Sequence, residues 1–305
     1  MSTEFGKDIL TRQLDQAILD HPFVDSLYYL RATNSYQKGD FKSAQADLVY
    51  AIKLDSLSPD YYHLLADAYL DNNDSYQGLS TMYRAAKQFP DRIPTLLKLS
   101  EFQNILKQND QSLETINSIL KVDPINANAY LMAGINLRDL KDTVNAIKNL
   151  LKATRYDDQL VDSWIILGQL TRKSDFNIAN AYFENAMRID SEGINTLHNY
   201  AEFLQDTLPL SAIRLYKKII DIDHKYQDAY LNAGILYFKL DSFSQALSHF
   251  NILTQLEPAE PKFYYYRGTI KEAMADKKGA RLDFEQALHL KPDFTEASKA
   301  MKSLK

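Results

Sequence analysis

Two nearly identical heptapeptides, "AYLMAGI" at residues 129–135 and "AYLNAGI" at residues 229–235, lie one hundred residues apart. Aligning the chain on them exposes eight consecutive units: 25–58, 59–92, 93–126, 127–160, 161–193, 194–226, 227–260 and 261–294. Six units have 34 residues and two have 33, so the hundred-residue spacing is three repeats less two single-residue deletions. A fixed period of this length is the mark of a stacked-repeat architecture, in which no unit buries its apolar face alone.

The columns of the alignment give the packing. Position 8 reads Ala32, Ala66, Ser100, Gly134, Gly168, Ala201, Gly234, Gly268, and position 20 reads Ala44, Gly78, Ser112, Ala146, Ala179, Ala212, Ala246, Ala280. All are small. Position 4 (Tyr28, Tyr62, Leu96, Tyr130, Trp164, Leu197, Tyr230, Tyr264) and position 24 (Leu48, Met82, Ile116, Leu150, Phe183, Tyr216, Phe250, Phe284) are all large. Small residues let two helix backbones approach, and large ones fill the space beside the contact. Pro90, Pro124, Pro258 and Pro292 close second helices, while Pro94, Pro209 and Pro261 stand near helix starts, where a missing N–H costs nothing. Both deletions fall in the turn between the two helices of a unit, where loss is tolerated.

The period and columns, with "WIILGQL" at residues 164–170 and "ALHLKP" at residues 287–292, resemble the tetratricopeptide repeat, TPR. The resemblance covers residues 25–294 and implies an all-α fold: a right-handed α-solenoid of eight TPR helix pairs. Units three and six depart most from the pattern, with Gln103 where Tyr is usual and Ile119 and Ile219 replacing Ala. Residues 1–24 hold a half-repeat: Leu10, Leu14, Ala17 and Pro22 match positions 20, 24, 27 and 32. It reads as an N-terminal cap or as the remnant of a longer array. Residues 295–305 read as a capping helix, with Phe294, Ala297, Met301 and Leu304 at helical spacing.

Composition narrows the function classes. The net charge is −5 with both signs interspersed and no basic stripe, which argues against nucleic acid. No apolar run in the sequence is long enough to span a membrane. The chain has no cysteine, so thiolate metal sites and cysteine nucleophiles are absent. Its six histidines include no metal-binding pair, and no nucleotide loop or nucleophile elbow occurs. Asp71 and Asp74 in "DNNDS" suggest a calcium loop, but the supporting ligand pattern is missing and a polar turn is the simpler reading. The expectation is a non-enzymatic chain without metal or cofactor.

The resemblance further implies a site. In TPR proteins the first helices line a concave face through positions 2, 5, 6, 9, 12 and 13. Carried over, these give Asp67 and Asp71 as part of an acidic patch with Asp60 and His63, then Lys98, Met132, Ile135, Arg138, Ile166, Gln169, Arg172, Asn199, Asn232, Phe238 and Tyr266. Met132, Ile135, Ile165, Ile166 and Phe238 are apolar on a face expected to meet water, the mark of a binding patch; the isoleucines read equally as core. Asn199 and Asn232 are placed to hydrogen-bond a partner backbone. The Lys, Asn and Arg clamp with which some TPR proteins grip a C-terminal carboxylate is missing, since His63 and Asp67 stand where a cation and an amide are needed; EEVD-type tails are not expected to bind. Arg31 and Arg267, at position 7 after "LYYL" and "FYYY", are expected to stack on the aromatics with their heads in water.

The expected function is a protein-interaction scaffold, monomeric or weakly oligomeric, that binds a peptide or protein in the groove. The alternative is a structural subunit of a bacterial envelope assembly that uses its convex face or N-terminal end. "PDRIPTLLKLSEFQNILKQ" at residues 90–108 resembles TPR proteins anchored as lipoproteins in bacterial envelopes, which implies a signal segment and lipidated cysteine upstream. As written, the N-terminus shows no signal peptide, and a cytoplasmic scaffold is the other reading.

Overall fold

The repeat period is realised as pairs of antiparallel helices. A computed structural model describes residues 2–304, with side chains described for residues 9–304. Eighteen helices and no strand occur among the described residues. The first, α1 (Ser2–Asp20), precedes the pairs α2 (Asp25–Gln37) with α3 (Phe41–Leu54), α4 (Pro59–Asp71) with α5 (Ser75–Gln88), α6 (Ile93–Ile105) with α7 (Asn109–Val122), and α8 (Ala127–Asp139) with α9 (Thr143–Tyr156). Then follow α10 (Val161–Thr171) with α11 (Phe176–Ile189), α12 (Ile194–Leu204) with α13 (Pro209–Ile222), α14 (Gln227–Lys239) with α15 (Phe243–Leu256), and α16 (Pro261–Ala273) with α17 (Lys277–Leu290), before α18 (Thr295–Ser303). The fold is an all-α helical-repeat solenoid. It divides into two compact units, Met1–Ser163 and Trp164–Lys305.

The turn inside each repeat explains the two repeat lengths. In the 34-residue repeats, residue 15 of the repeat is left-handed: Gly39, Asn73, Lys107, Lys141, Asp241 and Ala275, with φ between 54° and 79°. The next residue donates its N–H to the carbonyl five positions back (Asp40 to Ser35, Asp142 to Leu137, Asp276 to Lys271), which closes the end of the first helix. The two 33-residue repeats contain no left-handed residue among those described, and their first helices, α10 and α12, have 11 residues instead of 13. Second helices commonly begin on an aspartate whose side chain accepts from the first turn, as Asp40, Asp74, Asp142, Asp175 and Asp276 do. The "DNNDS" segment is such a turn, with Asp74 capping α5.

In the first unit the core runs as one cluster through α2–α6, centred on Leu48, Leu65, Met82 and Phe102, and continues around Ile116, Ile119 and Ala133. In the second, Tyr230, Phe250, Leu253 and Ile270 form one cluster, and Phe284 and Leu304 another beneath α18. The position-24 side chains are the deepest in the molecule; none of the eight is more than 1% exposed. Three of them are phenylalanines, and each faces a position-8 glycine. A Cβ on Gly168, Gly234 or Gly268 would lie within 3.0 Å of the Phe183, Phe250 or Phe284 ring. Ring size on one helix is thus matched by a missing side chain on the other. The departures in units three and six are absorbed: Ile119 and Ile219 are fully buried. Gln103, also buried, donates to Tyr83 Oη and accepts from Thr115 Oγ1.

Arg31 and Arg267 differ from expectation. Each does lie over a tyrosine, Tyr28 at 5.8 Å and Tyr264 at 5.3 Å, but neither head is left in water. Arg31 donates Nε and Nη2 to both oxygens of Asp47 at 2.8 and 2.6 Å. Arg267 does the same with Asp283 at 2.9 and 2.6 Å. The planar fork matches a carboxylate in two bonds at once, and a half-buried cation is held better by that pair than by partial hydration.

Candidate partner-binding faces

Consecutive first helices touch in the first unit, α2 with α4, α4 with α6 and α6 with α8. Polar residues on this face therefore reach one another across repeats. Asp67 pairs with Lys98 at 2.7 Å, and Asp60 with Arg92 at 3.7 Å. Asp71 accepts the Tyr36 hydroxyl, which pushes that phenol up to about 12. Within the patch expected to be acidic, Asp60 and Asp67 thus face cations, Arg92 at the end of the same repeat and Lys98 in the following one. Burial still raises the Asp67 carboxyl above its ordinary range, against the pull of Lys98. His63 meets Thr95 Oγ1 at 3.0 Å, and burial with nearby Arg92 and Lys98 drives its imidazole down to about 4.

One repeat further, Asn104 donates to Asn136 Oδ1 at 3.2 Å and to Asp139 Oδ2 at 3.4 Å. Asp139 also takes Lys107 at 3.1 Å and Arg138 at 2.9 Å. Arg138 is thus tied to its own neighbour. Met132 is half-buried against the cluster of Leu96, Ile116 and Ala129, and Ile135 is half-buried.

In the second unit, Ile166 is a core residue, 7% exposed, as is Ile165 at 3%; neither offers a surface. Such branched apolar side chains gain more from leaving water than from lining it. Gln169 donates to Asn199 Oδ1 at 2.6 Å, and Asn199 donates to the Asn195 carbonyl and Oδ1, both at 2.8 Å. Arg172 is exposed, beside a polar cavity of about 330 Å³ that also takes in Lys173, Glu202 and Asp206. Asn232 is half-buried close to the Tyr216 hydroxyl.

Phe238 and Tyr266 do come together. With Ile235 they line a cavity of about 200 Å³ whose remaining walls are Phe250, Tyr265, Thr269 and Ile270. Thr269 lies at position 9, within reach of the face rule; Phe250 and Ile270 are core residues that form the floor, and no surface pattern reveals them. Among the described residues no group of three or more His, Cys, Asp or Glu is placed to hold a metal, and no helix is long and apolar enough to cross a membrane.

Paired helices of this length, packed small against large on a 34-residue period, define a helical-repeat scaffold. In residues 29–93 the chain matches the tetratricopeptide repeat family. Its fold is shared with the C-terminal part of a TPR repeat-containing protein from Cytophaga hutchinsonii (TM-score 0.62, 14% identity, 77% of this chain and 98% of that one). It is shared as well with YrrB, described as a TPR protein with an unusual peptide-binding site (TM-score 0.54, 19% identity, 62% of this chain and 99% of that one). In sequence it is similar to Regulatory protein RapG of Bacillus subtilis, 27% identical over 215 residues, 66% of this chain and 53% of that protein. It is also similar to mouse Tetratricopeptide repeat protein 16, 23% identical over 302 residues, 91% of this chain and 36% of that protein. The chain thus spans about half or less of these curated relatives.

Proposed function

We propose that this chain is a non-enzymatic interaction scaffold that holds a peptide or protein partner on the faces of its first helices. One observation carries the reading: these faces keep apolar side chains half-exposed in both units, Met132 and Ile135 in the first and Ile235, Phe238 and Tyr266 in the second. Half-exposed apolar groups on the first-helix face of each unit favour protein contact. The kinship with a TPR protein described as having a peptide-binding site supports it. The polar members of the face, Asp67, Lys98, Gln169 and Asn199, are already paired. They would serve as ordered polar groups that exchange bonds with a partner, with Asp71 and Arg138 beside those of the first unit and Arg172 and Asn232 beside those of the second.

A second reading uses the second helices. Val144 and Leu151 stand exposed on α9 among Lys148, Lys152 and Arg155, a surface suited to packing in an assembly, of which an envelope complex is one form. A photo-crosslinking residue placed at Met132, Phe238 or Val144 separates the two in extracts of the native cell. A crosslinked partner at Met132 or Phe238 supports the first-helix face. Crosslinks confined to Val144 would move function to the second helices and overturn it.

A further inference from the structure

We propose that the cavity between α14, α15 and α16 is an anchor pocket for one bulky uncharged side chain, leucine, methionine or phenylalanine, from a peptide segment of a protein partner. The inference rests on the scaffold reading and names what that scaffold grips. Ile235 and Phe238 form one wall, Tyr266 and Thr269 the other, and Phe250 and Ile270 the floor.

Size limits the occupant. The cavity is about 200 Å³. Pockets for whole small molecules run from about 300 Å³ upward, whereas a dry apolar cavity of about 150 Å³ holds a benzene ring. One ring or one branched side chain fits, and a cofactor does not.

Charge limits it further. None of the lining residues carries a charge at neutral pH. A lysine or glutamate anchor would be stripped of water without a counter-charge. The Thr269 hydroxyl is already donated to the Tyr265 carbonyl at 2.9 Å. The hydroxyls of Tyr265 and Tyr266 have no hydrogen-bond partner among the described residues, which leaves them for the backbone of an incoming segment. Beyond the walls, exposed Lys239 and half-buried Glu272 offer a charge of each sign to residues flanking the anchor.

The pocket is also preformed. Phe250 and Ile270 are each about 1% exposed. The Tyr266 ring is held between Phe250 at 5.3 Å and Tyr265 at 5.5 Å, and Tyr265 is braced by Phe294 at 5.3 Å. A wall fixed in this way loses little freedom on binding.

The test pans a displayed library of random 12-residue peptides on the full chain, then measures synthetic versions of the selected peptides by fluorescence anisotropy. Selected peptides should share one leucine, methionine or phenylalanine. Changing it to alanine should weaken binding about ten- to a hundred-fold, the worth of burying such a side chain. Changing it to lysine should abolish binding. Thr269→Phe, which fills the cavity, should cause a similar loss with the far-UV circular dichroism unchanged. Phe238→Ala, which opens one half-exposed wall, should weaken binding to the same degree and serves in place of Thr269→Phe should the larger side chain disturb folding. Peptides that bind without an apolar requirement, or equally well to both variants, would overturn the pocket while leaving the scaffold reading intact. Recovery of no peptide would overturn the pocket too, and the crosslinking result would then judge the scaffold alone.

Discussion

Removing the Asp283 carboxylate tests whether the arginine clasp is a structural element of the last repeat. The side chain is 5% exposed and accepts from Arg267 twice, at 2.9 and 2.6 Å, and from Lys271 at 2.7 Å. Asp283→Ala leaves two cations facing a void. Breaking a buried pair from one side costs about 3–5 kcal/mol. Two features reduce this figure: Arg267 and Lys271 are each about a fifth exposed, and Arg267 keeps Thr254 Oγ1 at 2.7 Å. The expected loss is therefore about 2–3 kcal/mol, or roughly 30- to 150-fold in local opening. Hydrogen exchange of α16 and α17 is the assay, because an array of repeats need not unfold in one step. Protection of α2 and α3, in the other unit, should not change. Asp15→Ala, which removes a half-exposed partner of Arg31, should cost less than about 0.5 kcal/mol. The triple variant Arg267→Met, Lys271→Met and Asp283→Leu should recover most of the loss, since apolar side chains replace both cations and their shared carboxylate without leaving an orphan. The reasoning is refuted if Asp283→Ala changes α16–α17 protection less than about ten-fold, the lower bound of a loss of roughly 1.4 kcal/mol. It is equally refuted if the triple variant is as damaged as the single one.

Ala275 occupies the left-handed turn at φ 63° where Gly39 stands in the first repeat; Ala275→Gly should raise the unfolding midpoint, by about 0.5–1 kcal/mol in stability. Gly168→Ala should lower it by about 1 kcal/mol despite the better helix propensity, because the new Cβ would lie 2.6 Å from a Phe183 ring pinned by Phe203 at 4.9 Å; Phe183→Leu in the same chain should relieve the strain, read by urea denaturation. His63 has a folded-state pKa near 4, below its ordinary value, so the unfolded chain binds its proton first. Its contribution is complete above about pH 6.5 and is lost as pH falls toward 4, on the order of 1 kcal/mol after screening; urea midpoints of the wild type should drop across that window more than those of His63→Gln.

What the sequence discloses and what it hides follow from which contacts share the repeat's own numbering. Helix pairing within a repeat is legible because both partners recur in fixed columns; small position 8 against large position 24 is visible without coordinates, down to glycine opposite phenylalanine. The arginine clasp is legible in the same way, since Arg31 with Asp47 and Arg267 with Asp283 share one spacing of 16 residues. Reading each arginine beside its neighbouring tyrosines misses it. Contacts between repeats are harder. His63 meets Thr95 and Asn104 meets Asn136 at 32 residues, and Gln169 meets Asn199 at 30, each a few residues short of the period. A face read one repeat at a time thus shows an acidic patch where the stagger brings Lys98 of the next repeat to Asp67. The burial of Ile166 is beyond such a rule, because a position shared with half-exposed Met132 and Tyr266 does not state how closely the next helix approaches.

The same contacts place α1. Tyr130 donates its hydroxyl to the Pro124 carbonyl at 3.1 Å, and Tyr264 donates to Pro258 at 3.2 Å; each bond joins the end of one repeat to the first helix of the next. Tyr28 makes that bond to Pro22 at 3.0 Å, although no first helix precedes α1 among the described residues. Arg267 reaches back 16 residues to Asn251 on the preceding second helix, and Arg31 reaches back 16 residues to Asp15 on α1. Two independent bonds, one from a tyrosine and one from an arginine, thus hold α1 on α2 as a second helix is held on the repeat that follows it. That geometry fixes the spacing of α1 through the Pro22 turn rather than through a matched pair of small and large columns. On α1, Leu14 and Ile18 are buried while Leu10 and Leu19 are exposed.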